Sequence, residues 1–379
     1  MPMLSEISDA LATIEAYEDL DFYPPLLQQL SSLHSHGSAL VKPIRFHTPS
    51  FKKFHTEELC SSAINKWPAV SITGAACKLQ CDHCKANILK PMIPATDPDS
   101  LLQVVAEIVA NGAEGMLLTG GSNHRNEVEY TRFLPAIETI KNRYPEFSIA
   151  LHTALVDQQQ ARDLESAGVD VAMLDIIGAQ DTITQVYHLK RTVEDFEHSL
   201  FSLSQTSMRV VPHIVLGLHY GHLLGEWQAL EMIARYDVDA VVLVVVMPQH
   251  ADATRSFVTP RAETIGSFFL DARKVLKDTS ILLGCARPPG ISKQLIDAYA
   301  VMAGVDGIAH PSEGAISLAS RLGRSHQVYH SCCSSAVNDA MLATGIRDEA
   351  CINQKVLQNM PLKWSPNIVQ PRSVLTSKD

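Results

Sequence analysis

Apolar runs and helical periodicities alternate along the chain from Pro68 onward. Eight short apolar runs predict buried strands, at residues 69–73, 115–120, 148–153, 171–177, 209–217, 240–247, 280–285 and 307–311. The stretches between them have apolar residues at helical spacing and predict helices over residues 101–111, 130–143, 157–167, 193–205, 224–236, 261–276, 294–303 and 313–322. This alternation is typical of a parallel sheet that is buried on both faces.

Eight strand–helix units with right-handed crossovers predict an α/β fold, a (β/α)8 barrel of the TIM type over residues 41–324. Residues 1–40 predict an N-terminal helical extension, in which an amphipathic helix is broken at Pro24 and Pro25 and followed by a polar linker. Residues 325–379 form a C-terminal segment, which we expect to lie over the barrel mouth.

Composition narrows the classes of function. The chain has 379 residues, of which 46% are hydrophobic, and its formal net charge is −10. An acidic chain without a basic stripe repels phosphate backbones, so we expect no nucleic-acid partner. No apolar run approaches the roughly 20 residues that span a bilayer, so we expect no membrane partner. The N-terminus carries acidic residues where a targeting peptide needs basic ones, which indicates a cytoplasmic protein.

The segment CKLQCDHC places Cys77, Cys81 and Cys84 in a C-x3-C-x2-C spacing directly after the first predicted strand. Barrels carry their active sites at the carboxyl ends of the strands, which is where this loop lies. Three thiolates can hold three irons of a [4Fe–4S] cluster and leave the fourth iron open. The amino and carboxylate groups of S-adenosylmethionine (SAM) can chelate an open iron, and an electron from the cluster can then cleave the sulfonium bond. The motif therefore predicts radical SAM chemistry.

Other polar residues follow later strands. The backbone of Thr119-Gly120-Gly121 could approach a ligand closely and accept the ammonium of SAM, or form an ordinary turn. Asp175 ends a buried strand and needs a partner, either a ribose hydroxyl or a structural group. Arg191 could clamp the SAM carboxylate, or be a solvated surface arginine. Histidines near strand ends are interpreted as structural: His47, His152, His213, His219 and His310.

A second group of cysteines lies late in the chain. Cys285 ends the seventh predicted strand, and Cys332 and Cys333 follow the last barrel helix. If the C-terminal segment folds back, these three could ligate an auxiliary iron–sulfur cluster; the alternative is a small buried hydrophobe and an incidental pair. For the first group the alternative is a structural zinc site, which needs a fourth ligand such as Cys60 or His83.

Several segments together resemble a known family: CKLQCDHCKANILK, LLTGGSNHR, LHTALVD, VVPHIVLGLHYG, LLGCARPPG, GVDGIAHPSEGAI and the late CCS. They are similar to the biotin-synthase-like radical SAM proteins, a group that includes the two-component lipoyl synthases of archaea and some bacteria. The resemblance covers roughly residues 40–335. It implies a radical SAM type of barrel and a SAM-binding [4Fe–4S] cluster on Cys77, Cys81 and Cys84.

The resemblance also implies a reaction. In lipoyl synthesis a 5′-deoxyadenosyl radical abstracts hydrogen from an octanoyl chain, and an auxiliary cluster supplies sulfur. The expected partners are an octanoylated lipoyl carrier protein or peptide, a second radical SAM protein, and an electron donor such as ferredoxin or flavodoxin. Biotin-synthase-like or methyl-transferring chemistry on another small molecule is the alternative, followed by a non-catalytic iron–sulfur or zinc protein.

Overall fold

A computed structural model describes residues 4–35, 42–50, 55–59 and 66–335 of the protein. Its centre is one curled sheet of eleven parallel strands, which forms a half-barrel. The strands are β1 (Ile44–His47), β2 (Ala69–Ser71), β3 (Ile93–Pro94), β4 (Gly115–Thr119), β5 (Ser148–His152), β6 (Val171–Asp175), β7 (Arg209–Leu216), β8 (Ala240–Val245), β9 (Ser280–Leu283), β10 (Gly307–Ala309) and β11 (His326–Tyr329). Their order is β11-β1-β10-β9-β8-β7-β6-β5-β4-β2-β3.

The predicted α/β fold of the barrel type is confirmed. All eight predicted strands are present, as β2 and β4 to β10. The sequence missed β1, β3 and β11, which have only two to four residues and too short a pattern to stand out from a loop. Among the described strands the sheet ends at β11 on one side and β3 on the other, so the curl stays open.

Helices cover the outer face of the sheet. They are α1 (Leu4–Ala12), α2 (Pro24–Ser35), α3 (Pro98–Ala110), α4 (Leu134–Arg143), α5 (Gln158–Ser166), α6 (Gln180–Gln185), α7 (Val193–Ser204), α8 (Glu226–Ile233), α9 (Ala262–Val275), α10 (Ile291–Met302) and α11 (Ala315–Arg321). The eight predicted barrel helices are all present, and the six-residue α6 was missed. Asp97 and Asp157 begin α3 and α5 with reciprocal capping boxes, which fixes where these helices start.

The N-terminal extension differs from the prediction. Pro24 and Pro25 begin the second helix rather than break a first one, because proline fits the first turn, where no backbone N–H is needed. Ile7, Leu11 and Leu30 belong to the same hydrophobic core as the barrel helices. The backbone N–H of Tyr23 donates to the Tyr299 hydroxyl of α10 at 2.9 Å, which ties the extension to the barrel.

The two faces of the sheet bury different sets of residues. Outward-facing side chains such as Met116, Ile149 and Leu174 pack against the helices. Inward-facing ones form a separate apolar layer, made of Trp67, Ala150, Val171, Met173, Val211, Ala240, Val242, Leu282, Ala309 and Cys333. None of the described helices is long and apolar enough to cross a bilayer.

The chain after β11 returns into the curl of the sheet. A short 3-10 turn at Cys333–Ser335 contacts β5, β6, β9 and β10 from the inside. Cys333 is 4% exposed and belongs to the inner apolar layer. The described start of the C-terminal segment therefore lies inside the half-barrel, while residues 336–379 lie outside the described residues, as does the predicted cover over the mouth.

Candidate active site

The loop between β2 and β3 carries the three cysteines of the motif. A tight turn joins two of them, since the backbone N–H groups of Cys84 and Lys85 both donate to the Cys81 carbonyl, at 3.2 and 2.9 Å. Lys85 has a φ of 44°, which tightens the turn further. Cys77, Cys81 and Cys84 all line one cavity of about 310 Å³ at the carboxyl ends of the strands.

The glycine turn after β4 packs directly on the cysteine loop. A Cβ atom at Gly121 would lie 2.0 Å from the Ala76 carbonyl oxygen and 2.5 Å from the Cys77 Cα. Only glycine fits there, and its N–H donates to the Thr73 hydroxyl at 2.7 Å. Thr119 and Gly120 line the same cavity. The structure thus brings the predicted glycine turn and the cysteine motif together.

The thiols of the loop influence each other. The neighbouring Cys81 thiol lowers the pKa of Cys84 to about 4, with further help from His83. The pKa of Cys81 rises in return, because a second thiolate beside the first is disfavoured. Burial works to lower the pKa of His83, but attraction to the Cys84 thiolate outweighs it and raises the pKa. The His83 ring stacks on Tyr187 at 5.1 Å between centroids.

The donor set can be tested against the group that the motif implies. Among the described residues, no three His, Cys, Asp or Glu side chains converge on the position of a single metal ion. A [4Fe–4S] cluster takes each thiolate on a different iron, so it does not require that convergence. Three sulfur ligands on one loop, facing one cavity, suit such a cluster, and the Cys84 thiol already favours the thiolate form that binds iron.

Asp175 lies in the wall of the same cavity with two histidines. His152 Nε2 is 3.7 Å from Asp175 Oδ1, and the rings of His152 and His213 lie edge to face at 5.6 Å. Burial works to raise the pKa of Asp175, but His152, His213 and His83 outweigh it and lower the pKa. The carboxylate therefore stays ionised inside the cavity and can accept hydrogen bonds from a ligand.

His213 is in register with Asp175 on the neighbouring strand. Its Nδ1 lies 3.0 Å from the Val211 carbonyl, which can only accept, so Nδ1 carries the proton. Burial lowers the pKa of His213 to about 4, and the neutral ring is left with a lone pair on Nε2. The sequence interpreted His152 and His213 as structural. Side chains alternate between the two faces of the sheet along β5 and β7, and this alternation turns both histidines inward. The same alternation in the sequence is the signal that could have placed them in the cavity wall.

The rest of the cavity wall is largely apolar. Its aliphatic and thioether side chains come from the 3-10 turn after the cysteine loop and from β4, β7 and β8 and the turns after them: Ile88, Leu89, Met92, Leu117, Val215, Val244, Val246 and Met247. An apolar wall around a small polar group suits a ligand that is partly hydrocarbon.

Arg191 lies away from the cavity wall, in an ion-pair network. Its guanidinium contacts Glu127 Oε1 at 2.8 Å and Asp195 Oδ1 at 3.5 Å, and its Nε donates to the Arg125 carbonyl at 3.3 Å. Arg191 is therefore a half-buried member of an ion-pair network and not the solvated surface arginine of the alternative interpretation. Its contact with a SAM carboxylate stays a prediction.

The second group of cysteines comes together inside the half-barrel. Cys285 and Cys332 are half-buried and pack against the inner apolar layer that contains Cys333. The Cys332 Sγ lies 3.1 Å from the Ser334 hydroxyl. The Cys333 thiol lowers the pKa of Cys332 to about 7, and the pKa of Cys333 rises because of Cys332, burial and Cys285. Cys60, the fourth ligand of the alternative zinc site, lies outside the described residues.

The second group borders the first cavity. Ala286, next to Cys285, lines the cavity of the three motif cysteines, and its carbonyl accepts from the Val245 N–H at 2.8 Å. Arg287 fixes this turn from behind with two hydrogen bonds to Asp297, of 2.5 and 3.0 Å. Both side chains are fully buried. The structure therefore brings the two predicted cysteine groups to the same end of the sheet.

Two solved structures of HydG share the fold of this chain. HydG, a maturase of the [FeFe]-hydrogenase, is similar with a TM-score of 0.55 at 12% identity, over 91% of this chain and 78% of that chain. HydG from Carboxydothermus hydrogenoformans has a TM-score of 0.50 at 12% identity, over 81% and 69%. Methylornithine synthase (PylB) has a TM-score of 0.46 at 12% identity, over 82% and 83%. No curated protein matches the chain significantly in sequence.

The family model of the radical SAM superfamily matches residues 71–223. The radical SAM family uses a [4Fe–4S] cluster and SAM. The matched segment contains the cysteine loop, the glycine turn, His152, Asp175 and His213. It begins in β2 and ends after β7, so it includes most of the cavity wall. Over residues 71–223 the chain is therefore similar to the radical SAM superfamily.

Proposed function

We propose that this enzyme is a lipoyl synthase component that inserts sulfur into an octanoyl chain on a carrier protein. When bound, a reduced [4Fe–4S] cluster supplies the electron that cleaves SAM to methionine and a 5′-deoxyadenosyl radical. The observation that carries the proposal is one largely apolar cavity with three motif cysteines on its wall and a second cysteine group at its border.

In this proposal each wall residue has a role toward the cofactors. Cys77, Cys81 and Cys84 hold three irons and leave the fourth to SAM. The backbone carbonyls of Thr119-Gly120-Gly121 accept the SAM ammonium, beside the cysteine loop on which Gly121 packs. The ionised, half-buried Asp175 accepts a hydrogen bond from a ribose hydroxyl, because a carboxylate in the cavity wall gains from a donor there.

The apolar wall acts on the substrate. Ile88, Met92 and Val246 give an aliphatic chain a surface to bury, at about 25 cal/mol for each Å² removed from water. The same side chains exclude water, which protects a carbon radical from side reactions. Hydrogen abstraction from an unactivated carbon needs near-contact geometry, and the cavity walls restrict the positions that the chain can take.

The second cysteine group is proposed to hold an auxiliary iron–sulfur cluster that supplies the sulfur. The position of these cysteines supports this role, since Cys285, Cys332 and Cys333 meet next to the cavity in which the octanoyl chain would be activated. Cys332, whose pKa is about 7, is the better ligand of the adjacent pair, and Cys333 is the thiol that lowers it. The proposed partners are the octanoylated carrier, a second radical SAM protein, and ferredoxin or flavodoxin as electron donor.

The alternative is biotin-synthase-like or methyl-transferring chemistry on another small molecule. An apolar cavity of about 310 Å³ also admits a small ring compound, so the shape of the cavity does not separate the two. An auxiliary cluster would separate sulfur insertion from methyl transfer, which needs no sulfur source. Thiolation of an octanoyl peptide would separate lipoyl synthesis from biotin-synthase-like sulfur insertion. A non-catalytic cluster protein would cleave no SAM at all.

The test is a single reaction under strict exclusion of oxygen. Reconstituted protein receives SAM, dithionite and an octanoyl-lysyl peptide, with and without a candidate second radical SAM protein, and mass spectrometry follows the peptide. We expect 5′-deoxyadenosine together with a mono- or dithiolated peptide. Deoxyadenosine without thiolation, even with the second protein present, would reject the lipoyl assignment, and a methylated product would favour the alternative. Absence of deoxyadenosine would reject the radical chemistry itself.

A further inference from the structure

Asp82 is a buried carboxylate inside the cysteine motif that the proposed function leaves unused. Its side chain is 1% exposed and does not line the cavity. Its Oδ1 lies 2.9 Å from His188 Nε2 and 3.2 Å from Lys85 Nζ. Its Oδ2 lies 3.1 Å from Arg255 Nε and accepts from the Tyr220 hydroxyl at 3.4 Å. Four side chains from four segments thus converge on one carboxylate.

These contacts hold the cysteine loop against three other loops. The Asp82 backbone adds two hydrogen bonds, from its N–H to the Val186 carbonyl at 2.9 Å and from the Asp252 N–H to its carbonyl at 2.7 Å. Lys85 reaches across to Asp252 Oδ2 at 3.0 Å. The loops after α6, β7 and β8 are therefore fastened to the segment between two motif cysteines.

The backbone around this carboxylate is held in an uncommon conformation. His188 and Tyr220 have φ values of 56° and 55°, in the left-handed region that non-glycine residues seldom occupy. Such a conformation is strained and persists only where the surroundings fix it. Lys85 has a φ of 44°, so three of the four side chains that reach Asp82 come from such positions. Contacts at this point thus offset backbone strain in three separate loops.

The charges here lie next to the motif sulfurs. Asp82 lies between Cys81 and Cys84 in the chain, and its negative charge faces Lys85, Arg255 and the His188 imidazole. The reduction potential of an iron–sulfur cluster depends on nearby charge and solvent exposure. A buried charge acts more strongly than an exposed one, because water screens it less. Removing the Asp82 charge would take one negative charge away from Arg255 and His188 beside the cluster, while Lys85 would keep its pair with Asp252.

We propose that Asp82 is a positioning residue that fixes the cysteine loop and, by balancing the cations around it, sets the reduction potential of the cluster held there. The inference rests on the cluster site of the proposed function. Asp82 touches neither substrate nor SAM in this account and acts through the loop. A negative charge disfavours the reduced, more negative cluster, so Asp82 keeps the potential low, as the cleavage of a strong sulfonium bond requires.

The test compares variants that remove one charge each. EPR-monitored potentiometry on reconstituted full-length protein measures whether the reduction potential of the cluster rises or falls in each variant. D82N should shift the cluster to a higher potential, since one negative charge is lost. R255Q should shift it to a lower potential, and by less, because Arg255 is 49% exposed. The double variant should lie between the D82N value and the wild-type value. In R255Q the loop keeps the two backbone hydrogen bonds of Asp82 to Val186 and Asp252, which do not involve the Arg255 side chain.

Control measurements separate the effect of a lost charge from the loss of the cluster itself. Iron content and the EPR line shape report whether each variant still holds the cluster, and D82E, which keeps the charge, should keep a low potential. Shifts of the same sign in D82N and R255Q, or no shift in a D82N that holds its iron, would overturn the inference. If the D82N variant holds no iron, the test rests on R255Q. A reduction potential of R255Q equal to that of the wild type would then overturn the inference. A wild-type protein without a cluster signal would overturn the proposed function, and with it this inference.

Discussion

The two cysteine groups reach the same end of the sheet by different routes. Cys77, Cys81 and Cys84 lie within eight residues of one loop, whose backbone turn already brings two of them together. Cys285 and Cys332 belong to segments that meet only because β9 and β11 lie in one sheet and the chain then turns inward. A local spacing therefore specifies the first group, whereas the second depends on the whole fold.

Their surroundings differ as well. The first group lies between an apolar cavity and the polar network around Asp82, in which several charged side chains are half-exposed. The second group lies on the inner apolar layer and is supported by the fully buried Arg287–Asp297 pair. Loss of the fold should therefore damage the second cysteine group first, whereas the first cysteine group is sensitive mainly to changes in its own loop.

The largest expected effect comes from removing the second group alone. In a C285A/C332A variant we expect iron and sulfide to fall by about half, because one of two four-iron clusters is lost. SAM cleavage should continue, because the motif cysteines are intact, while thiolation of the octanoyl peptide should stop. Iron analysis, deoxyadenosine assay and mass spectrometry measure the three quantities. Unchanged iron and sulfide in this variant would remove the second cluster from the account.

A smaller effect is expected from the pair that supports the second group. D297N leaves the buried Arg287 guanidinium without its counter-charge and should cost about 3 kcal/mol of unfolding free energy, measured by urea denaturation. The matched control is E114Q, which breaks the largely exposed Lys66–Glu114 pair and should cost less than about 1 kcal/mol. Equal costs for both variants would show that the buried pair has no special role. We further expect D297N to lose iron from the second group before the first.

The smallest effect is a pH dependence near the second group. His47 is fully buried at the end of β1 and stacks on Tyr329 at 5.5 Å. Burial lowers its pKa from 6.5 to about 3, so the unfolded chain binds the proton first and stability falls as the pH drops below about 6.5. This should cost about 2 kcal/mol between pH 7 and pH 5.

The variant H47F keeps the ring stack and removes the titrating group. Its unfolding free energy should fall by about 2 kcal/mol less than that of the wild type over this pH range, as followed by chemical denaturation. Replacement of the exposed His198 by glutamine serves as control and should leave the slope as it is. An H47F slope equal to the wild-type slope would contradict the assignment.

Much of the fold could be predicted because its signal is local. Each of the eight predicted strands is a continuous apolar run, and each crossover helix has its own periodicity, so both patterns can be seen without tertiary information. The strands β1, β3 and β11 were missed, because their two to four residues are too few to show a hydrophobic period. The start of α2 was predicted wrongly, because a proline such as Pro24 is common both in the first turn of a helix and just after the end of one.

The candidate site also has one part that local sequence predicts and another part that depends on the fold. The cysteine motif and the glycine turn could be predicted, because their residue types and spacing carry the chemistry. The places of His152 and His213 in the cavity wall depend on the direction of the side chains, and the network around Asp82 depends on three loops that only the fold brings together. Arg191 could be found as an arginine in a polar loop, but its partner Glu127 could not.

The central claim is that the first cysteine group holds the cluster that cleaves SAM and the second holds another. The most direct measurement is anaerobic iron quantification of the wild type and a C77A/C81A/C84A variant, with deoxyadenosine detection after addition of SAM and dithionite. The account predicts about eight irons in the wild type, about four in the variant, and deoxyadenosine from the wild type alone. Equal iron in both proteins, or deoxyadenosine from the variant, would contradict it.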